Sequence, residues 1–258
     1  MRLLLLAPHQ DDEILAAGGI IQQCIGHGSD ISVLFATNGD RFGADIARRR
    51  YGESRYALAE LGISENHIFY MGYGDTGMAP ERSFLFRLQA APASEFFSSY
   101  VSAETYHPAG KKTIRALRTG ADGPMSRASF LADLAWAIQA YRPDCILSPS
   151  AWDAHGDHAA LAMLLREILS PSLPGASYII HGEDDALWPQ RHTDSFQKPA
   201  DLPLHIWRRR IVIKLSDEQR CRKRRLIERF FTQTEHDPSG FLPSFAKQEE
   251  VFFPWSRY

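Results

Sequence analysis

The apolar run Leu3–Ala7 ends, after one proline, in His9, Gln10, Asp11, Asp12 and Glu13. A strand with apolar residues on both faces belongs inside a sheet covered by two layers. Four ionisable side chains within five positions at its end are costly unless something neutralises or uses them. A bound cation would do both. It would also need at least one more ligand from elsewhere in the chain.

Similar runs recur. Ile31–Ala36 ends in TNGD, His67–Met71 precedes GYGDTG, and Asp144–Leu147 leads into SPSAWDAHGDH. Helical periodicity falls between them, over about Asp12–Gly26, Ile46–Leu61 and Ser126–Tyr141. The alternation predicts an α/β, Rossmann-like, mainly parallel sheet flanked by helices. Ligands of such sheets sit beyond the carboxyl ends of the strands, where all four loops fall. Residues 79–123, rich in Ser, Ala, Gly, Pro and aromatics, break the alternation and read as an inserted cap over that rim. A strand at Arg210–Leu215 and a helix opened by Ser216 follow, so residues 1–258 are expected to form a single domain with the cap as an insertion.

Composition narrows the function. A chain that is 44% hydrophobic and 23% charged is globular, and a net charge of −2 gives no electrostatic basis for nucleic-acid binding. Cys24, Cys145 and Cys221 are too far apart for a zinc knuckle or a disulfide frame. The basic run QRCRKRRLIER lies on a predicted helix and reads as a solvated face. MRLLLLAP is shorter in its apolar part than a secretory leader, and no segment approaches the ~20 apolar residues of a membrane span. The expectation is a cytoplasmic protein, open to homo-oligomer formation.

A catalytic zinc usually takes three ligands from His, Asp, Glu or Cys and leaves one position for water. His9 and Asp12, three apart at a strand-to-helix turn, can point at one spot. The missing ligand should be a histidine at a neighbouring strand end, and HGDH, His155 to His158, offers two. Either half alone would be common by chance.

With these motifs the chain resembles the LmbE/PIG-L family of metal-dependent N-deacetylases, which carry (A/P)HPDDE after the first strand and HPDH after a later one. TNGD (Thr37–Asp40), RYGESRYALAELG (Arg50–Gly62), GYGDTGM (Gly72–Met78) and SPSAWDAHGDH (Ser148–His158) extend the match, with a weaker echo in KRRLIERFFTQ (Lys223–Gln233). Gln10 and Gly156 stand where the family usually has proline. The resemblance implies that His9, Asp12 and His158 hold Zn2+ or another divalent transition metal. It makes Asp11 the general base and His155 the acid or oxyanion stabiliser, with Asp157 orienting His155 and raising its proton affinity. Arg50 and Asp75 match positions that contact sugar hydroxyls in sugar-processing relatives. The implied substrate is a small amino sugar or glycoconjugate bearing an N-acetyl group.

Elementary chemistry supports the same division. An amide needs an activated water and a stabilised oxyanion, and its amine leaves only when protonated. One carboxylate outside the ligand set and one histidine provide a base and an acid around one metal.

Competing readings remain open at this point. The acids could be first-turn helix residues, Arg50 could pair with Glu53, and Asp75 could only shape a turn. Asn38 and Asp40 suit a turn or the site equally. Glu13 reads as a buttress, Gly18–Gly19 as a close-packing point, and His107 and His181 as structural histidines. An amidase for a larger amide, such as a thiol conjugate or acylated natural product, is the rival enzyme. A metal-binding module without turnover is the rival from another class.

Overall fold

The computed structural model describes residues 1–183, 188–191, 193–235, 237 and 239–255. The first half alternates strand and helix: β1 (Arg2–Ala7), α1 (Asp12–Gly26), β2 (Asp30–Thr37), α2 (Ala44–Glu60) and β3 (Ile68–Tyr73). Next come α3 (Phe84–Ala90), β4 (Phe96–Phe97), α4 (Ile114–Thr119), β5 (Met125–Ser126) and α5 (Arg127–Tyr141). The chain continues through β6 (Cys145–Pro149), α6 (Gly156–Ile168), β7 (Gly175–Tyr178), α7 (Leu204–Trp207) and β8 (Ile211–Lys214). Then follow α8 (Asp217–Ile227), α9 (Phe231–Thr234) and β9 (Glu249–Pro254).

Seven strands form one sheet in the order β3-β2-β1-β6-β7-β9-β8. The five strands from β3 to β7 are parallel, and β9 runs antiparallel between β7 and β8. The α/β expectation therefore holds. Alternate residues of β1 enter opposite cores: Leu3, Leu5 and Ala7 join one, and Leu4 and Leu6 the other. This two-sided burial explains an uninterrupted leucine run where a half-exposed strand would alternate.

Chain order reverses direction across β1, with β2 and β3 on one side and β6 and β7 on the other. The crevice between the ends of β1 and β6 is thus a topological switch point. The loops holding His9, Asp40, Asp75 and His155 all leave from that rim. Residues 79–123 contain α3, β4 and α4, whose contacts reach the same rim: Ser83 meets Asp157, and both Ser99 and Tyr106 meet Asp40.

One expectation changes in detail. The basic run on α8 is not solvated throughout, because Lys223 is fully buried and donates to Glu250 at 2.7 Å and to the Leu15 carbonyl at 2.7 Å. Glu250 also accepts the backbone N–H groups of Gly19 and Ile20, at 2.6 and 2.8 Å. A Cβ on Gly19 would lie 2.4 Å from a methyl of Leu215, so this glycine lets α1 approach its neighbours closely. Among the described residues no helix is long and apolar enough to cross a membrane.

Candidate metal centre

Strand β1 delivers His9 to the rim, and the chain then turns sharply into α1. Asp11 sits in that turn with φ 144°, a region that costs a non-glycine residue on the order of 1–3 kcal/mol. Glu13 braces it. One Glu13 oxygen accepts the Asp11 N–H at 2.8 Å, and the other accepts the Ser54 hydroxyl at 2.6 Å. This supports the buttress reading, and burial carries the Glu13 carboxyl up to about 8. On the other side of the crevice, His155 caps α6 by accepting the Asp157 N–H on Nδ1 at 3.1 Å.

The structure brings the three expected ligands together. His9 Nδ1 lies 3.3 Å from His158 Nε2, His158 Nε2 lies 3.2 Å from Asp12 Oδ2, and Asp12 Oδ2 lies 3.5 Å from His9 Nδ1. Ligand atoms on a tetrahedral ion with bonds of about 2.0–2.1 Å are separated by about 3.3–3.4 Å. The spacing of the three residues therefore fits a zinc-like cation. One nitrogen of His155 also lies within 4.8 Å of nitrogens from His9 and His158.

Carboxylates hold both histidines from behind. Asp157 Oδ2 meets His9 Nε2 at 3.1 Å, and Asp153 Oδ2 meets His158 Nδ1 at 3.2 Å. Such partners orient metal-binding imidazoles and raise their basicity. Burial opposes charge on His9, yet the hydrogen bonds to Asp12 and Asp157 outweigh it and carry its pKa up to about 10. His158 is raised in the same way: burial opposes its charge, and Asp12 and Asp153 prevail. The pocket thus favours positive charge at a spot where two imidazoles face each other.

Asp11 lies beside this triangle. Burial pushes its pKa up to about 7 against the pull of Arg50, whose Nη2 is 3.4 Å from Asp11 Oδ1. Arg50 also donates to the Gln10 carbonyl at 3.1 Å. It does not pair with Glu53, which accepts from Thr232 instead. Asp75 is buried near His9 and Asp157, and its Oδ1 accepts the Gly77 N–H at 3.1 Å. A turn-shaping role for Asp75 is therefore real, beside its place at the site.

One expectation is corrected. Asp157 does not orient His155, because its carboxylate faces His9, Ser83 Oγ at 2.5 Å and Leu85 N–H at 2.7 Å. Burial, then the neighbouring His9, His158 and His181, hold His155 well below the usual histidine range. It is a neutral imidazole, and since Nδ1 accepts, its proton is on Nε2.

Sequence reasoning missed Asp153, which also accepts the N–H groups of His155, Ile180 and His181. Its position within SPSAWDAHGDH was the available signal. His181, set aside as structural, lies with its ring 5.3 Å from those of His155 and His158 and stacks on Phe241. His107 packs between Tyr51 and Tyr70. Asn38 donates to the Gly72 and Tyr106 carbonyls, and Asp40 accepts from the Asp75 N–H, Ser99 and Tyr106. Both shape the rim.

Glycine at 156 has a local reason. A Cβ there would lie 2.5 Å from Ser83 Cβ, and its N–H donates to the Met78 carbonyl at 2.8 Å. Proline would lose that bond and crowd the serine.

The family model described as GlcNAc-PI de-N-acetylase (PIG-L) matches residues 4–169. No curated protein sequence matches. Among solved structures, the zinc-inhibited form of the teicoplanin deacetylase Orf2 aligns over 98% of this chain and 97% of its own, at 15% identity and a TM-score of 0.60. The N,N'-diacetylchitobiose deacetylase from Pyrococcus horikoshii, bound to its inhibitor MPG, aligns over 99% and 84% at 15% identity and a TM-score of 0.53. A 4-carboxy-2-hydroxymuconate hydratase from Pseudomonas putida aligns over 100% and 96%, at 15% identity and a TM-score of 0.54. At such identities the shared property is the fold, and the hydratase shows that this fold serves more than one reaction.

Proposed function

Since the chain belongs to the GlcNAc-PI de-N-acetylase (PIG-L) family of hydrolases, we propose that it removes an N-acetyl group from an amino sugar within a glycoconjugate, using a divalent metal such as zinc. The observation that carries this reading is the triangle of His9, Asp12 and His158 atoms, 3.2–3.5 Å on a side, with Asp11 alongside and outside it. Neighbours named as deacetylases of teicoplanin and of N,N'-diacetylchitobiose support the substrate class.

When bound, the metal would lower the pKa of water towards about 7 and polarise the scissile carbonyl. The remaining work falls to side chains. Asp11, with a pKa raised by burial, accepts a proton from the attacking water and can return it to the departing amine. Neutral His155 offers Nε2–H to the oxygen on which charge develops. Arg50 can donate to a sugar hydroxyl through Nε, which is buried without a hydrogen-bond partner, and Asp75 can accept from another. Residues 79–123 would shape the side from which the sugar's aglycone enters, as a cap within one domain.

The test is acetate release from a panel of N-acetylglucosamine glycosides, with and without chelator. Release should stop on metal removal and return with added zinc or another divalent transition metal. Release by metal-free protein would overturn the metal assignment. A fully metallated protein that releases acetate from none of the panel would overturn the substrate class.

A further inference from the structure

Away from the metal centre, the sheet face over β6, β7 and β9 carries a cavity of about 560 Å³, within the size range of small-molecule sites. Its floor is one cross-strand row, Ser148, Ser177 and Phe253, in direct register. One wall is a single stripe of α6, with Ala162, Leu165 and Arg166 at helical spacing, continued by Leu169 just past the helix end. The facing wall is the short α7 segment and its end, with His205, Ile206 and Arg209. Trp255 closes one end by lying on Gly175, where an added Cβ would be 2.2 Å from the indole ring. Trp152, half exposed, stands at the other end, beside the rim.

The cavity's charge is one-sided. Arg166 and Arg209 line it together with His205, and among the described residues no carboxylate does. None of these three side chains makes an ion pair or hydrogen bond with a described residue. Elsewhere partly buried arginines find partners, as Arg220 does with Asp194 and Arg127 with Glu167. Two guanidinium groups without a partner among the described residues, over an apolar and hydroxyl-lined trough, match a ligand with an anionic head and a short apolar body.

We propose that this groove is a second ligand site, separate from the metal centre, that binds a small organic anion bearing an acyl chain or an aromatic ring. The head, a carboxylate or a phosphate, lies between Arg166 and Arg209. The body runs along Leu165, Leu169, Ile206 and Phe253. Binding there is independent of the metal and of the substrate assigned above.

Isothermal titration of the full protein with octanoate, octyl phosphate, octanol and octylamine tests this directly. Both anions should bind, octanol more weakly, and octylamine not at all. Comparison of the two anions identifies the preferred head. Saturating chelator should leave anion binding unchanged. Arg166→Gln combined with Arg209→Gln alters exposed side chains, so the fold should persist while anion affinity falls at least about tenfold. Equal binding of octanol and the anions, loss of binding on chelation, or no anion binding at millimolar concentration would each overturn the proposal. A double variant with wild-type anion affinity would do the same. So would sedimentation showing that the double substitution dissociates a dimer while anions have no effect, since the groove would then be an interface between copies of this chain.

Discussion

The carboxylate of Asp157 is hydrogen-bonded to His9, 3.1 Å from Nε2, although Asp157 follows His155 by only two residues. Helix α6 begins at this point, so the Asp157 side chain turns towards β1 while its N–H caps on the His155 ring. Asp157→Asn should therefore weaken metal affinity by about 10–100-fold, the usual effect of losing such a partner. Competitive chelator titration measures this. The alkaline limb of the residual rate profile should stay in place, because neutral His155 does not set that limb and the Asp157 carboxylate does not face it. Unchanged metal affinity with a displaced limb would restore the link to His155.

Metal uptake should release protons. In the metal-free pocket the neighbouring carboxylates favour protons on these imidazoles, carrying the pKa of His9 up to about 10 and that of His158 in the same direction. The cation must displace them, so affinity should increase as pH rises through the neutral range and weaken as it falls. Titrations in buffers of different ionisation enthalpy should show net proton release. Chelation should also lower Tm, since a ligand at 1,000 times its Kd stabilises by about 4.1 kcal/mol. A heat of binding independent of buffer would contradict this picture.

The buried Lys223–Glu250 pair predicts a stability effect far from catalysis. Lys223→Met leaves Glu250 with two backbone donors but no cation, in a site almost without solvent exposure. The loss should be about 3–5 kcal/mol by denaturant unfolding. Replacing both residues by apolar ones of similar volume should recover part of it. A single-variant loss below about 1 kcal/mol would mean that the pair is hydrated.

Much of this was legible before any coordinates. Strands β1, β2, β3 and β6 announced themselves because burial on both faces leaves continuous apolar runs. Helix α6 and strand β9 are not legible in the sequence. The first begins inside HGDH, where ligand residues obscure the helical pattern, and the second carries Glu249 and Glu250, whose burial rests on Lys214 and Lys223. At the site, residue types and strand-end positions pointed to His9, Asp12 and His158. Which carboxylate backs which imidazole was not readable, because Asp153 and Asp157 flank the same histidines at short spacings and only backbone direction separates them.

A sugar substrate makes Asp75 and Arg50 separable from the metal chemistry. Asp75→Asn keeps an oxygen for the Gly77 N–H but loses the charge, so the turn should survive. Turnover of an N-acetylglucosamine glycoside should fall, mainly through KM, with metal content unchanged. A simple N-acetyl amine without ring hydroxyls should react poorly with wild type and respond little to the substitution. Equal losses on both substrates would assign Asp75 to structure alone.

The general-base role of Asp11 is the central claim, and one comparison tests it most directly. Acetate release from an N-acetylglucosamine glycoside is measured for wild type and Asp11→Asn at equal, full metal occupancy. Asp11 lies outside the ligand triangle, so the asparagine protein should keep its metal. Its rate should fall on the order of 10²–10⁴-fold, the usual contribution of a positioned base. An Asp11→Asn protein that is fully metallated and as fast as wild type would contradict the assignment.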